Sequence, residues 1–260
     1  MFAISLHSII PVRVEAREGA EQSTQMLFGE LCTILEQIPR WNRVKLASDG
    51  QEGWVDAKMI TLMSKDEHKA YRNSLTKAAM VAFPMTYAVS ENNGQTIPLT
   101  AGTRLANYNA GRFEVLGVGF RIDPSMVIET PIELNQDNLL RTVRFFINVP
   151  YLWGGKNALG MDCSGFSQVI MSLFGKSLLR NASEQVTQGM SVESLETVQA
   201  GDLAFFDHED GKISHVGIVI DPARVIHCSG RVKVEKLDSK GIFNAEIGAY
   251  SHHLVTIRRV

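Results

Sequence analysis

The residue best suited to chemistry in this chain is Cys163. Asp162 stands where a helix N-cap belongs, and Cys163 opens a run whose apolar positions Phe166, Val169, Ile170, Leu173 and Phe174 keep a helical period, with Gly175 placed to end it. A sulfur at that position faces unpaired backbone N–H groups and the positive end of the helix dipole, both of which favour thiolate. With a histidine in reach, such a cysteine is a nucleophile at neutral pH. Two histidines are candidates. His215 opens His215-Val216-Gly217-Ile218-Val219-Ile220, and His227 lies in Val225-Ile226-His227-Cys228-Ser229, each reading as a strand. The turn sequence Asp221-Pro222-Ala223-Arg224 makes an antiparallel hairpin the simplest connection between them. Side chains alternate across a strand, so the two rings share a face only in a register such as Gly217 opposite His227. That register requires an odd number of unpaired residues in the connection, and a clean even-numbered loop would separate the rings.

Other segments must hold these residues in place. Residues 135–146 put Leu139, Leu140, Val143 and Phe146 on one helical face, and residues 203–206 read as a further short strand. Helices first and strands after predict an α+β unit with an antiparallel sheet over residues 131–260. The region ahead of it is strand-rich. Trp41-Asn42-Arg43-Val44-Lys45-Leu46 alternates, Asp49-Gly50 supplies a turn and Gly53-Trp54-Val55 restarts a strand, giving a hairpin within a small β-barrel over residues 1–63. Ser64, with Glu67 three positions on, caps a linking helix over residues 64–77. Short runs at Ile97-Pro98-Leu99, Thr103-Arg104-Leu105, Arg112-Phe113-Glu114-Val115-Leu116 and Gly117-Val118-Gly119-Phe120 suggest a second, degenerate barrel that completes residues 64–130.

Composition narrows the function classes. Lys and Arg number 26 against 28 Asp and Glu, a net charge of -2, so no basic surplus exists for nucleic acid, and no nucleic-acid partner is expected. No apolar stretch approaches the about 20 residues needed to span a bilayer, so no membrane partner is expected either. The start, Met1-Phe2-Ala3-Ile4-Ser5-Leu6-His7, lacks the features of an export signal, and a cytoplasmic location is expected. Cys32, Cys163 and Cys228 cannot all pair and none lies in a CxxC, so no disulfide scaffold is indicated. Cys32, between Leu31 and Ile34, reads as a small buried hydrophobe. Gly154-Gly155-Lys156-Asn157 lacks the upstream glycine and final Ser/Thr of a phosphate loop. His208, among Asp207, Glu209 and Asp210, reads as a solvated loop histidine, and His252-His253 is a weak metal signal without partners. No metal and no cofactor is expected.

Taken in order, Tyr151-Leu152-Trp153-Gly154-Gly155, Asp162-Cys163-Ser164-Gly165, Gly201-Asp202-Leu203, His215-Val216-Gly217 and Ile226-His227 form a string that resembles the NlpC-type cysteine peptidases of bacterial cell-wall metabolism. Pro11-Val12-Arg13, Met26-Leu27-Phe28-Gly29-Glu30, Trp41 and residues 49–55 likewise resemble the bacterial SH3 family, a companion of such peptidases. The resemblance implies a papain-like fold and makes Cys163 the nucleophile, His215 the general base and acid, and His227 the polar residue that orients His215. It gives Tyr151 a hydroxyl near the nucleophile, suited with the Cys163 N–H to an oxyanion hole. It places Trp153, Asp162, Ser164, Asn181 and Ser183 along a substrate groove, with Asn181 standing where relatives often carry aspartate. Tyr151 read by itself is equally a core residue, and Asp162 and Ser164 are equally helix caps. The implied substrate is a murein stem peptide, cut between γ-D-glutamate and L-lysine or diaminopimelate by a monomer that recycles imported peptides. The first barrel is then expected to close one end of the groove and select a free N-terminal L-alanine. Two other readings stay open: a non-catalytic peptide-binding protein, and a metal site built from Cys163, His215 and His227.

Overall fold

The computed structural model describes residues 1–207 and 211–260. His208, with Glu209 and Asp210, lies outside the described residues. The chain divides into two compact units, Met1–Pro131 and Ile132–Val260.

The first unit is almost all strand. Its seven-stranded sheet runs in the order Gln22–Leu27, Ile9–Arg13, Glu52–Asp56, Trp41–Leu46, Leu31–Ile38, Phe2–Ser5 and Ile60–Met63. The expected hairpin is there, with Lys45 opposite Glu52 and Gly50 at φ 78° in its turn. Ser64 and Glu67 form the expected capping box on the helix Lys65–Ser74. The block after it is two sheets, a four-stranded one around Met85–Ser90 and Val118–Ile122 and a three-stranded one around Ala79–Val81. The first block keeps a core of its own, with Ala3, Ile10, Val12, Val44 and Val55 in it, and the blocks on either side of this helix meet in a second. Ile4, Phe28, Leu31 and Met63 from the first pack in one cluster with Tyr71, Val81, Leu99, Phe113 and Ile122, and Phe28 meets Phe120 edge-on at 5.5 Å between ring centres. Such aromatic pairs add to area burial, so the two blocks stabilise one another.

In the second unit the helix Gln136–Val143 is capped by Asn135, whose side chain accepts from the Asn138 N–H. The Cys163–Leu173 helix begins at Asp162 as expected and ends at Phe174, with Gly175 at φ 77°. Nine of its residues are buried, including Phe166, Val169, Ile170 and Leu173, so this is a core helix and not a surface one. The strands form an antiparallel sheet in the order Met190–Ser191, Ala249–Arg259, Leu203–Asp207, His215–Asp221, Arg224–Ser229, Arg231–Asp238 and Gly241–Asn244, and the last of these pairs back to Ala249–Arg259. The sheet therefore closes on itself and leaves few edges. One side of it buries Ala204, Phe206, Val219, Val225, Leu237, Ile242 and Ile257 against one another. Among the described residues no helix is long and apolar enough to cross a membrane.

Candidate active site

Register decides whether the two histidines can act together. Gly217 lies opposite His227 and Val219 opposite Val225, while Asp221 lies opposite Arg224. Pro222 and Ala223 alone would make an even connection. A β-bulge between Val219 and Asp221 leaves Ile220 unpaired as well, which restores the parity that brings both rings to one face. Gly217 is needed at this point, because a Cβ there would meet Val225 Cγ2 and press on His227 Cβ. With that space open, His215 Nε2 lies 2.8 Å from His227 Nδ1, the rings standing at 88° to each other.

The relay continues one residue further than the sequence reading reached. His227 Nε2 lies 2.8 Å from Glu235 Oε2, and Lys233 Nζ is 3.2 Å from the same oxygen. Burial alone would raise the Glu235 pKa, but the bonds to His227 and Lys233 hold it below its ordinary value, so the group is a carboxylate. A carboxylate only accepts, which fixes the proton of His227 on Nε2 and leaves Nδ1 as an acceptor. His215 then donates through Nε2 and keeps a basic Nδ1. Glu235 had a signal in the sequence: Arg231-Val232-Lys233-Val234-Glu235 alternates, and register carries the pairs Lys233–His227 and Glu235–Val225 to the face that holds His227.

His227 is fully buried, and burial lowers its pKa below 6.5 against the opposing pull of Glu235. The folded state then binds fewer protons than the unfolded state between the lowered value and 6.5, so stability rises with pH in that interval. Glu235 has the same sign lower down, losing its contribution as pH falls through its depressed value. Urea unfolding of the full chain should therefore show a midpoint that declines as pH drops below about 6.5, and His227→Gln should flatten the upper part of that decline.

Cys163 is 7% exposed, and its sulfur accepts from the backbone N–H groups of Val216 and Ser164. Val216 follows His215 directly, so the sulfur rests at the start of the strand that carries the first imidazole. The helix start does not make this thiol acidic by itself. Burial, and then the Asp162 carboxylate, push it up to about 11 in spite of the two N–H groups and Arg180. Desolvation outweighs the two N–H groups, so ionisation at neutral pH requires a proton acceptor. Cys32 and Cys228 are buried thiols pushed up to about 12, and Cys228 donates to the Met161 carbonyl at 3.1 Å.

Asp162 and Ser164 turn inward and are bonded within the protein. Asp162 Oδ1 accepts from Gly165 N at 2.7 Å and Arg180 Nη1 at 3.0 Å, and Oδ2 accepts from Gly154 N at 2.9 Å and Arg180 Nη2 at 2.6 Å. The Ser164 hydroxyl donates to Asp162 at 3.2 Å and accepts from Arg180 at 2.8 Å. Both oxygens of Asp162 are thus engaged, in a helix cap and in an ion pair. Arg180, 1% exposed, was passed over in the sequence because nothing local marks an arginine for burial. Asp162→Asn would strand that guanidinium, and urea unfolding should show a loss of about 3–5 kcal/mol.

Asn181 heads the short helix Ala182–Gln185, and its N–H and side-chain amide both donate to Glu184 Oε2, at 3.0 and 2.9 Å. A carboxylate thus stands beside the position that lacks one. Ser183 is exposed, and so is Trp153 at 60%. Tyr151 is half-buried, and burial together with nearby Cys163 and Asp162 raises its pKa, keeping the phenol a hydrogen-bond donor. The backbone approaches closely here: a Cβ on Gly165 would strike the Gly155 carbonyl.

His252, read from the sequence only as a weak metal signal, is 8% exposed and stacks on His215 with ring centres 4.1 Å apart. Among the described residues no group of three or more His, Cys, Asp or Glu side chains is arranged to hold a metal ion. The ring nitrogens explain this, since His215 and His227 are bonded to each other and His227 to Glu235.

A thiol at a helix start, laid against a strand whose first residue is a histidine backed by a second histidine, defines a papain-like thiol hydrolase. Comparison with known proteins agrees. Residues 148–250 match the NlpC/P60 family and residues 12–60 match the bacterial dipeptidyl-peptidase Sh3 domain. A gamma-D-glutamyl-L-lysine dipeptidyl-peptidase of Bacillus subtilis (strain 168) is 31% identical over 219 residues, 78% of this chain and 71% of the relative. Its namesake from Bacillus cereus (strain ATCC 10987 / NRS 248) is 26% identical over 253 residues, 87% of this chain and 74% of the relative. The crystal structure of an NlpC/P60 family protein from Bacillus cereus ATCC 10987 covers 100% of this chain and 99% of its own, with a TM-score of 0.81 at 20% identity, a likeness of fold. The chain belongs to the NlpC/P60 family and is a cysteine peptidase.

Proposed function

We propose that this peptidase hydrolyses the γ-D-glutamyl–diamino acid bond, to L-lysine or diaminopimelate, in murein stem peptides with a free N-terminal L-alanine. The observation that carries the mechanism is the unbroken path from His215, whose neighbour Val216 binds the sulfur, through His227 to Glu235. His215 Nδ1 takes the Cys163 proton, and the thiolate adds to the amide carbonyl. The Tyr151 hydroxyl and the Cys163 N–H bond the oxyanion. His215 returns the proton to the leaving amine, then draws one from the water that releases the acyl group from sulfur. Charge on His215 is stabilised through His227 by the buried Glu235 carboxylate, the part played by the acid in other triads.

The bond assignment rests on the activity for which the two Bacillus relatives are named. With Asp162 committed to Arg180, the exposed Glu184 held by Asn181 is the carboxylate this motif presents to an ammonium, and Trp153 and Ser183 are its exposed side chains. In this reading the enzyme works as a monomer in the cytoplasm, recycling wall fragments, which sedimentation and cell fractionation would check.

The test compares L-Ala-γ-D-Glu-L-Lys and its diaminopimelate counterpart with an α-linked isomer and an N-acetylated form. Release of L-Ala-γ-D-Glu from the free γ-linked peptides is expected, with the other two at least about 10²-fold slower. Equal cleavage of the N-acetylated peptide would remove the free-amine requirement, and no cleavage of any γ-linked peptide would remove the substrate assignment.

A further inference from the structure

We propose that His252 is a positioning residue for the base: its ring is the flat support that sets the plane of the His215 imidazole. The His215 ring is bonded in its own plane from Nε2 to a His227 ring standing at 88°. Bonds made in the plane of a ring resist tilt out of that plane least, and tilt would swing Nδ1 away from its partner. His252 removes that freedom from the perpendicular direction. It lies over the His215 ring at 4.1 Å between centres and 27° between planes, an offset stack.

The support is itself fixed. The His252 ring meets Phe206 edge-on at 6.2 Å and His227 at 5.8 Å, and its Nδ1 is 2.9 Å from Ser251 Oγ. Register explains how a residue near the chain's end arrives there. Leu254 lies opposite Phe206, and Phe206 opposite His215, so His252, two residues before Leu254, falls on the face that carries Phe206 and His215. The pairing of Ala249–Arg259 with Leu203–Asp207 thus brings that side chain to the base.

This role rests on the reading of Cys163 and His215 as the reacting pair. Orientation losses of this kind act on the chemical step and not on substrate binding, and a tilted base costs rate steeply. His252→Ala should lower kcat on L-Ala-γ-D-Glu-L-Lys about tenfold with KM changed less than about twofold, and should slow iodoacetamide alkylation of Cys163 at pH 7 in parallel. His252→Phe keeps a flat ring and should bring both readouts back to within about threefold of wild type, whereas His252→Leu, which fills volume without a flat face, should not. Wild-type kcat and alkylation in the alanine variant would overturn the proposal, as would a phenylalanine variant no better than leucine. The comparison of phenylalanine with leucine decides even if the alanine variant does not fold. Failure of the underlying reading shows elsewhere, as hydrolysis by Cys163→Ala, and alkylation tests the stack without any substrate.

Discussion

Cys163→Ala should lower kcat/KM on L-Ala-γ-D-Glu-L-Lys by about 10⁴-fold or more, leaving only what binding and an oxyanion donor supply. The substitution is chemically narrow. It removes one sulfur at a buried helix start, while the Asp162 cap to Gly165 and the Arg180 pair stay intact. Alanine suits a helix, so an unfolding midpoint close to wild type is expected alongside the loss. Product yield followed by chromatography, with both proteins at equal folded concentration, checks it. Comparable yields would take the sulfur out of the mechanism.

His215→Ala should cost kcat/KM about 10³-fold or more at neutral pH, by a route that can be told apart from a structural lesion. Burial and Asp162 hold the thiol up at about 11. Without an imidazole to receive its proton, a thiol held that high carries little thiolate at neutral pH. The variant's residual hydrolysis should then climb with pH well past the range where the wild type has levelled off. A residual rate flat in pH would mean that the histidine supports the fold and not the proton.

What could be seen in the sequence was local. The Asp162 cap, the helix it opens, and the strands bearing His215 and His227 each follow from neighbouring residues, and structure and sequence agree on them. The hairpin parity was posed by the sequence but answered only by the bulge at Ile220, a distortion that Asp221-Pro222-Ala223-Arg224 does not announce. The closing strand Ala249–Arg259 was unread, and with it went His252, whose position depends on pairing across the sheet. Arg180 was invisible because an arginine is buried only by its partner, and that partner was assigned to the substrate. The acidity of Cys163 was misjudged because a helix start can be read from sequence while the depth of burial that opposes it cannot. In the first unit the first barrel has its own core, and a second cluster joins it to the block after the helix through Phe28, a contact hidden in the sequence because spacing marks strands and says nothing of which faces meet.

The most direct test of the central claim is the rate of Cys163 alkylation by iodoacetamide across pH, followed on the Cys163 peptide by mass spectrometry in wild type and His215→Ala. If the imidazole takes the proton, the wild-type rate is already high at neutral pH, and in the variant the rise moves to clearly higher pH, because burial and Asp162 hold the thiol up. Superimposable profiles in the two proteins would contradict the account, because the sulfur would then owe its charge to something other than His215.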